Sequence, residues 1–151
     1  MKIRAGVCIP FLCLHTYSTA FSQRNFTSKN LSSSRSNYQR VSAGVASTLE
    51  IRDGKLWAWG YNSSGELGDG TTVSKAKPVQ IGKDNSWIAV STSCSHSMDL
   101  KSDGTLWMWG QNVYGELGDA TTIDKTNPVQ VGNQNNWIYI SAGCRYSMAL
   151  K

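Results

Sequence analysis

The sequence predicts an all-β protein, a partial β-propeller built of four-stranded antiparallel blades with a period of about 50 residues. One observation is internal repetition. Leu56–Thr72 returns almost unchanged as Leu106–Thr122, and more than half of the positions in 55–101 and 105–151 are identical. The other observation is the pattern within each copy, which divides into four short strand-like runs and shows no helical period. Short strands repeated at this spacing are typical of propeller blades, each of which needs neighbours to bury its apolar face.

The first two strands of a blade are best seen in the unit 87–136. Trp87–Ser91 is a short apolar run with a β-branched bias, and Ser97–Leu100 alternates apolar with polar side chains, as a strand does. Asp103 and Gly104 follow directly. This pair predicts a tight hairpin, because glycine adopts a positive φ without steric cost.

The third and fourth strands flank a glycine-rich loop. Leu106–Trp109 is predicted as the third strand, and Pro128–Val131 as an outer strand, where proline is tolerated at a sheet edge. Within the equivalent loop of the preceding unit, Leu67 is expected to pack between blades. Tryptophans at strand-alternating positions are expected to form core rather than to stack on sugars.

The repeat units are predicted at 38–86 and 87–136, with a partial third unit at 137–151. A faint match of Tyr38–Ser42 to Trp87–Ser91 sets the start of the first. Propellers close with about four to eight blades. We therefore expect a fragment of a longer propeller, in which the remaining blades or self-association close the ring.

The amino-terminal region is predicted to lie outside the propeller. Residues 1–22 combine a short basic start, an apolar stretch and small residues before Gln23, as a signal peptide does. Residues 23–37 are polar and rich in Ser and Asn, which predicts a disordered linker. A secreted, periplasmic or cell-surface location follows from this interpretation. The alternatives are an organelle transit peptide, since no acidic residue precedes Glu50, and a wrongly assigned start of the chain.

The positive charge of the chain is concentrated before the repeats. The formal net charge is +5, but from Val41 onward basic and acidic residues nearly balance. Nucleic-acid binding requires a basic surface on the folded part, so no nucleic-acid partner is predicted. No membrane span is predicted either, because the apolar stretch of the leader is too short for one.

No cofactor or metal site is predicted. The glycine-rich loops lack the Gly-Lys-Ser/Thr ending of a phosphate-binding loop. Asp69 and Asp119, each followed by a threonine two residues later, are expected to cap their own turns rather than to bind Ca²⁺, which normally requires several carboxylates.

The cysteines and the histidine of the repeats are not expected to form a catalytic site. Cys94 and Cys144 hold the same place in successive repeats, so we expect small, buried thiols too far apart for a disulfide. His96 has Ser97 and Cys94 nearby, but no separate base and orienting acid are offered. The protein is therefore predicted not to be an enzyme.

Two loops carry the most specific motif. Trp59–Gly68 and Trp109–Gly118 both read Trp-Gly-x-Asn-x-x-Gly-Glu-Leu-Gly, and Ser-Ala-Gly occurs at Ser42–Gly44 and Ser141–Gly143. With the His-Ser pair at His96, this combination resembles the repeat of the regulator-of-chromosome-condensation family. The resemblance covers 38–151.

Several positions depart from the family pattern. Glu66 and Glu116 stand where the family usually has Gln, Ser93 replaces a glycine, and Ser47 and Tyr146 replace the histidine. The resemblance implies a propeller that binds proteins through its loops.

Three functions follow from these observations. We predict a non-enzymatic protein-binding scaffold, a fragment of a longer secreted repeat protein, which presents propeller loops to a protein partner. The founding nuclear member of the family implies the alternative of a guanine-nucleotide exchange factor for a small GTPase. The leader and the near-neutral repeats weigh against that alternative. A secreted enzyme inhibitor is a further alternative, since a bacterial β-lactamase inhibitor contains similar repeats.

Positions in loops that differ between copies are the best candidates for partner contacts, because loops on a rigid scaffold usually carry binding. The predicted contact residues are Tyr61, Asn62, Ser63, Ser64, Gln111, Asn112, Val113 and Tyr114. A second variable pair of loops lies at 83–86 and 133–136.

Overall fold

The computed structural model describes residues 39–151. The predicted leader at 1–22 and linker at 23–37 lie outside the described residues. Within 39–151 the regular structure is entirely β, and no helix long and apolar enough to cross a membrane occurs there.

Ten strands form three antiparallel sheets in chain order. The first sheet contains β1 (Val41–Ala43), β2 (Ser47–Arg52), β3 (Lys55–Gly60) and β4 (Lys75–Ile81). The second contains β5 (Trp87–Thr92), β6 (His96–Lys101), β7 (Leu106–Gly110) and β8 (Lys125–Gln130). The third is a hairpin of β9 (Tyr139–Ala142) and β10 (Ser147–Leu150). The prediction of four-stranded antiparallel blades is confirmed.

The alternating pattern of β2 shows why these sequences form strands. Ser47, Leu49 and Ile51 are buried on one face of the first sheet, and their neighbours are more exposed. Antiparallel pairing places Leu49 opposite Ala58 and Ile51 opposite Leu56 on β3. The aliphatic side chains of both strands therefore share one face, and that face packs against the second sheet.

The Asp-Gly turn predicted at Asp103 and Gly104 is a hairpin, and so is its equivalent at Asp53 and Gly54, but the two turns differ in length. Asp53 and Gly54 form a two-residue turn, with φ of 50° and 75°. In the second sheet Ser102 is an additional residue, and the amide of Lys101 donates to the carbonyl of Thr105 across a three-residue loop. Gly104 has φ 80°, and a Cβ there would lie 2.1 Å from the carbonyl oxygen of Asn135. Glycine is thus required both by conformation and by close packing.

Neighbouring sheets pack through their first strands. β5 contacts β1 and β2, and β9 contacts β5 and β6. The first interface buries Leu49, Ile51, Leu56, Ala58, Leu67, Ile81, Trp87, Val90 and Trp109. The second buries Ala89, Met98, Leu100, Leu106, Met108, Leu117 and Ile140. The prediction that Leu67 packs between blades is confirmed.

The second sheet is covered on both faces because it lies between two neighbours. All six residues of β6 are buried, including the polar ones. The equivalent strand β10 shows the contrast: Met98 is fully buried, whereas Met148 is 51% exposed. Burial at a given repeat position therefore depends on the number of neighbouring sheets.

The expectation of two unlinked cysteines is wrong. Cys94 and Cys144 form a disulfide, with their Cα atoms 4.9 Å apart. The reason is geometric: the turns after β5 and β9 meet because the first strands of successive sheets lie side by side. The preceding pair of turns is equally close, since the amide of Val45 donates to the carbonyl of Ser93. Equivalent positions in adjacent blades can thus be bonding neighbours.

Candidate functional site

The two long loops, 61–74 and 111–124, emerge at the same end of their sheets as the β1–β2 and β5–β6 turns. The amide of Tyr61 donates to the carbonyl of Ala46 at 2.8 Å, and the amide of Gln111 to that of Ser95 at 2.8 Å. We call this end of the sheets the loop rim. The second variable pair, 83–86 and 133–136, follows β4 and β8 and therefore lies at the opposite end.

An asparagine at the centre of each long loop holds the loop in shape. The Asn62 Nδ2 donates to the Asp69 carboxylate at 3.1 Å and to the Thr71 carbonyl at 3.0 Å. Its Oδ1 accepts the amide of Leu67 at 2.9 Å. Asn112 makes the same bonds in the second loop. Both asparagine side chains are fully buried, so in this structure they face their own loops rather than the surface.

The aspartates cap their turns, as expected. The Asp119 Oδ1 accepts the amide of Thr121 at 3.0 Å, and Lys125 lies 3.2 Å from its other oxygen. Partial burial opposes ionisation, but these hydrogen bonds prevail and lower the pKa of Asp119 to about 2. Asp69 has the same partners, including Lys75 at 2.7 Å, and its pKa is also lowered against the effect of burial. The carboxylates therefore hold the loops in shape rather than form an open cation site.

The remaining predicted contact residues divide by exposure. Tyr61, Val113 and Tyr114 expose 52%, 55% and 62% of their surface on the loop rim. Ser63 is also exposed, whereas Ser64 and Gln111 are half-buried. The amides of Ser64 and Tyr114 donate to the side chains of Glu66 and Glu116, at 2.8 Å in each case. The loop rim thus presents large apolar and aromatic side chains on a fixed backbone.

Each long loop also contacts the sheet that follows it in the chain. The backbone carbonyl of Glu66 accepts the Ser97 hydroxyl at 2.8 Å and the Trp109 indole N–H at 2.9 Å. The indole packs on Gly68, where a Cβ would lie 2.7 Å from the ring nitrogen. The glycine of the motif is therefore the place where the next blade's tryptophan fits.

The second interface repeats part of this arrangement. The Ser147 hydroxyl donates to the carbonyl of Glu116 at 2.8 Å. The His96 Nε2 lies 2.9 Å from the same hydroxyl. Because the single Ser147 proton is directed at Glu116, His96 is the donor in that bond. Burial lowers the pKa of His96, although Glu116 opposes the shift, so the imidazole is neutral at pH 7. This histidine joins two blades and does not act as a base toward a serine.

Asp99 is a buried acid between the first and second sheets. Burial raises its pKa well above the ordinary value, and the nearby Leu100 amide and Lys101 ammonium offset only part of the shift. Neither carboxyl oxygen has a partner in hydrogen-bonding geometry among residues 39–151. Lys101 instead pairs with Asp84 at 2.7 Å and lies 3.7 Å from the ring centroid of Trp107.

Sequence reasoning missed the roles of Glu66, Glu116 and Asp99. Their side chains accept loop amides, but toward the next sheet the glutamates act through backbone carbonyls, which no residue type reveals. The sequence places Asp99 on the polar face of an alternating strand. That face is buried only because the first sheet covers it. Its equivalents, Glu50 and Ala149, give no signal of a shared role.

The same tryptophan, glycine-rich loop and pair of packed sheets recur in proteins of one known family. The family model of the regulator of chromosome condensation (RCC1) repeat matches residues 53–100 and 103–150, more than half of the chain. The chain belongs to the RCC1 repeat family. Each RCC1 match covers the last two strands of one sheet and the first two of the next, so it is offset from the sheets themselves.

The chain is also similar to one curated protein and to several solved structures, among them one of yeast RCC1. The chain is 34% identical over 62 residues to the ultraviolet-B receptor UVR8 of Arabidopsis thaliana, covering 40% of this chain and 14% of that protein. Human WBSCR16 has a TM-score of 0.66 at 21% identity over 73% of this chain and 29% of its own. Yeast RCC1 (Prp20), in a structure bound to Kap60, has a TM-score of 0.67 at 18% identity over 78% of this chain and 30% of its own.

The chain therefore spans about 14% of the curated relative and about 30% of these solved chains. The likeness to the solved structures establishes the fold, a β-propeller of RCC1 repeats.

Proposed function

We propose that this protein is a non-enzymatic scaffold whose loop rim binds a protein partner. The main observation that supports this proposal is that exposed Tyr61, Val113 and Tyr114 lie on a fixed loop backbone. Pre-ordered loops lose little conformational entropy on binding, and aromatic side chains supply large contact areas. The hydrogen bonds of the two buried asparagines provide that order.

Two solved structures of yeast RCC1 (Prp20) support protein binding as the kind of function. One holds this protein bound to Kap60, and the other concerns its binding to Gsp1p and histones. Kap60, Gsp1p and histones are partners of the yeast protein. For this chain they support the partner class, a protein, and not its identity.

Export is part of the proposal. Disulfides persist in oxidising compartments and are rare in the cytosol, so the Cys94–Cys144 bond supports the prediction of a signal peptide at 1–22. The exchange-factor alternative requires a cytosolic or nuclear GTPase partner. The disulfide therefore favours the scaffold over the exchange factor.

Site-specific photo-crosslinking in the native host tests the proposal. A photoreactive residue at Tyr61 or Val113 should give a discrete adduct with one protein. The same residue at Asn85 or Gln134, on the opposite end of the sheets, should not. Equal adducts from both ends would contradict a binding rim. Accelerated release of a labelled guanine nucleotide from the captured partner would contradict the scaffold proposal and support the exchange-factor alternative.

A further inference from the structure

The Cys94–Cys144 disulfide lies on the loop rim, where it joins turns of two neighbouring sheets. Cys94 is in the turn 93–95 between β5 and β6, and Cys144 is in the turn 143–146 between β9 and β10. The bond therefore lies at the same end of the sheets as the long loops that carry the proposed contact residues.

The residue after each cysteine contacts the second long loop. The carbonyl of Ser95 accepts the amide of Gln111 at 2.8 Å, where that loop begins. The guanidinium of Arg145 lies 5.1 Å from the ring centroid of Tyr114 in the same loop, within the range of a cation–π contact. The second long loop is therefore held by both turns, and the disulfide fixes the distance between those turns.

The disulfide takes the place of a hydrogen bond that joins the preceding pair of turns. At that earlier junction the amide of Val45 donates to the carbonyl of Ser93 at 3.2 Å. The repeat-equivalent donor at the second junction is the amide of Cys94, and within the described part of the chain no carbonyl of 143–146 accepts it. Breaking the disulfide therefore leaves no other described bond between these two turns.

The disulfide is open to solvent at one of its cysteines. Cys144 is exposed, whereas Cys94 is half-buried. Exposure is a property of this position in the repeat, because Val45 holds it in the first sheet and is 79% exposed although the second sheet packs beside it. A thiolate can therefore reach Cys144 in the folded protein. Exposed disulfides are among those that exchange readily with other thiols.

We propose that this disulfide is a redox-sensitive latch of the loop rim. With the bond closed, the second long loop is held from both turns, and Val113 is presented in a fixed position. With the bond open, the turns separate, the loop moves as a unit, and the rim binds its protein partner more weakly. The effect on binding rests on the proposed function, whereas the effect on the loop does not.

Opening of the latch requires a dithiol as reductant. One thiolate of the dithiol attacks the Sγ of Cys144 and forms a mixed disulfide, and Cys94 leaves as a thiolate that takes up a proton. The second thiolate of the reductant then displaces Cys144, which also takes up a proton. The reductant leaves as a disulfide, so its two thiols supply both electrons and both protons. Closing is the reverse reaction, with a disulfide compound as oxidant.

The latch links the binding form of the rim to the compartment of the protein. Thiols are kept reduced in the cytosol, whereas disulfides form and persist in oxidising compartments. A chain that is exported, as proposed above, therefore reaches its binding form only after it leaves the cytosol.

Amide exchange of the full chain with and without dithiothreitol tests the latch. This dithiol should reduce the bond in the folded protein without denaturant. Reduction should speed exchange of the Gln111 amide about tenfold or more, because the turn that accepts it is released. The Leu117 amide, which is bonded to Asn112 within the loop, should change less than about threefold. Equal acceleration of both amides, or a bond that opens only in denaturant, would overturn the proposal.

The double variant Cys94→Ser, Cys144→Ser is the matched control for reduction. Its amide exchange should equal that of the reduced protein and should not respond to dithiothreitol. The Tyr61 amide serves as an internal control, because its turn carries Val45 in place of a cysteine, and it should change less than about threefold. If the double variant does not fold, the reduced protein decides. Loss of protection throughout the reduced chain would show unfolding rather than a latch and would contradict the proposal.

Photo-crosslinking in the native host separates the latch from the proposed function. A photoreactive residue at Val113 should give about fivefold less adduct in the double variant than in the otherwise unaltered chain, because a loop that is not pre-ordered loses more entropy on binding. Equal yields would overturn the redox control of binding. No adduct from either protein would contradict the proposed function instead, and amide exchange would then decide the latch alone.

Discussion

Removal of the Cys94–Cys144 disulfide is expected to destabilise the protein by about 4 kcal/mol. The two cysteines are 50 residues apart, and the chain-entropy relation gives that value for a closed loop of this length. With a urea m-value of about 1.5 kcal/mol/M, the unfolding midpoint should fall by roughly 2–3 M. Cys94 is half-buried and Cys144 exposed, so Cys94→Ser with Cys144→Ser introduces no buried polar group.

The assay is urea unfolding followed by tryptophan fluorescence on the oxidised protein, the reduced protein and the double variant. The reduced protein and the double variant should share one midpoint, and reductant should leave the variant unchanged. Amide exchange should rise first in β9 and β10, which have the more exposed side chains. Midpoints that agree within about 0.3 M, less than about 0.5 kcal/mol at this m-value, would refute the reasoning. So would peptide mapping that finds the two cysteines unlinked.

Gly104→Val should destabilise the second sheet by on the order of 1 kcal/mol or more in thermal unfolding, because φ is positive and the Asn135 carbonyl blocks a Cβ; a neutral effect would contradict the hairpin. Asp99→Asn should stabilise the protein at pH 7, because an amide carries no charge for burial to oppose. Since the pKa of Asp99 is raised in the folded state, the wild type loses stability as pH rises above about 4. The stability advantage of the variant should therefore shrink toward pH 4 in parallel urea titrations. An advantage that does not change with pH would exclude the ionisation of Asp99 as its cause. Asp119→Asn should destabilise at pH 7 but not at pH 2. The lowered pKa of Asp119 gives stability that is present above about pH 4 and lost as pH falls toward about 2; equal loss at both pH values would count against the Lys125 pairing. Exported protein should begin at or near Gln23 by mass spectrometry, and an intact Met1 would exclude the signal peptide.

The fold could be predicted from sequence because its determinants are local and repeated. Alternation in β2 and the Asp-Gly turns fix strands and hairpins without reference to neighbours. The repeated Trp-Gly loop marks the end of the third strand, where the chain turns back toward the fourth. These features recur with one spacing, so the architecture follows from a single unit.

What sequence reasoning missed depends on contacts between units or on how a loop folds around its own residues. Predicting the disulfide requires knowing how far apart two equivalent turns lie in space, and the repeat period does not give that distance. The burial of Asn62 follows from a loop folding around its own side chain, although its position between variable residues indicated a surface role. The chemistry of Glu66 lies in its backbone carbonyl. For the disulfide and for Glu66, the decisive partner is distant in sequence.

The central claim, a pre-ordered loop rim that binds a protein, is tested most directly by amide hydrogen exchange of the full chain alone and with its cross-linked partner. In the free chain the Leu67 and Leu117 amides, which donate to the buried asparagines, should exchange slowly. With the partner, added protection should appear at 61–64 and 111–114. Fast exchange of both leucine amides in the free chain, or added protection confined to 82–86 and 132–136, would contradict the account.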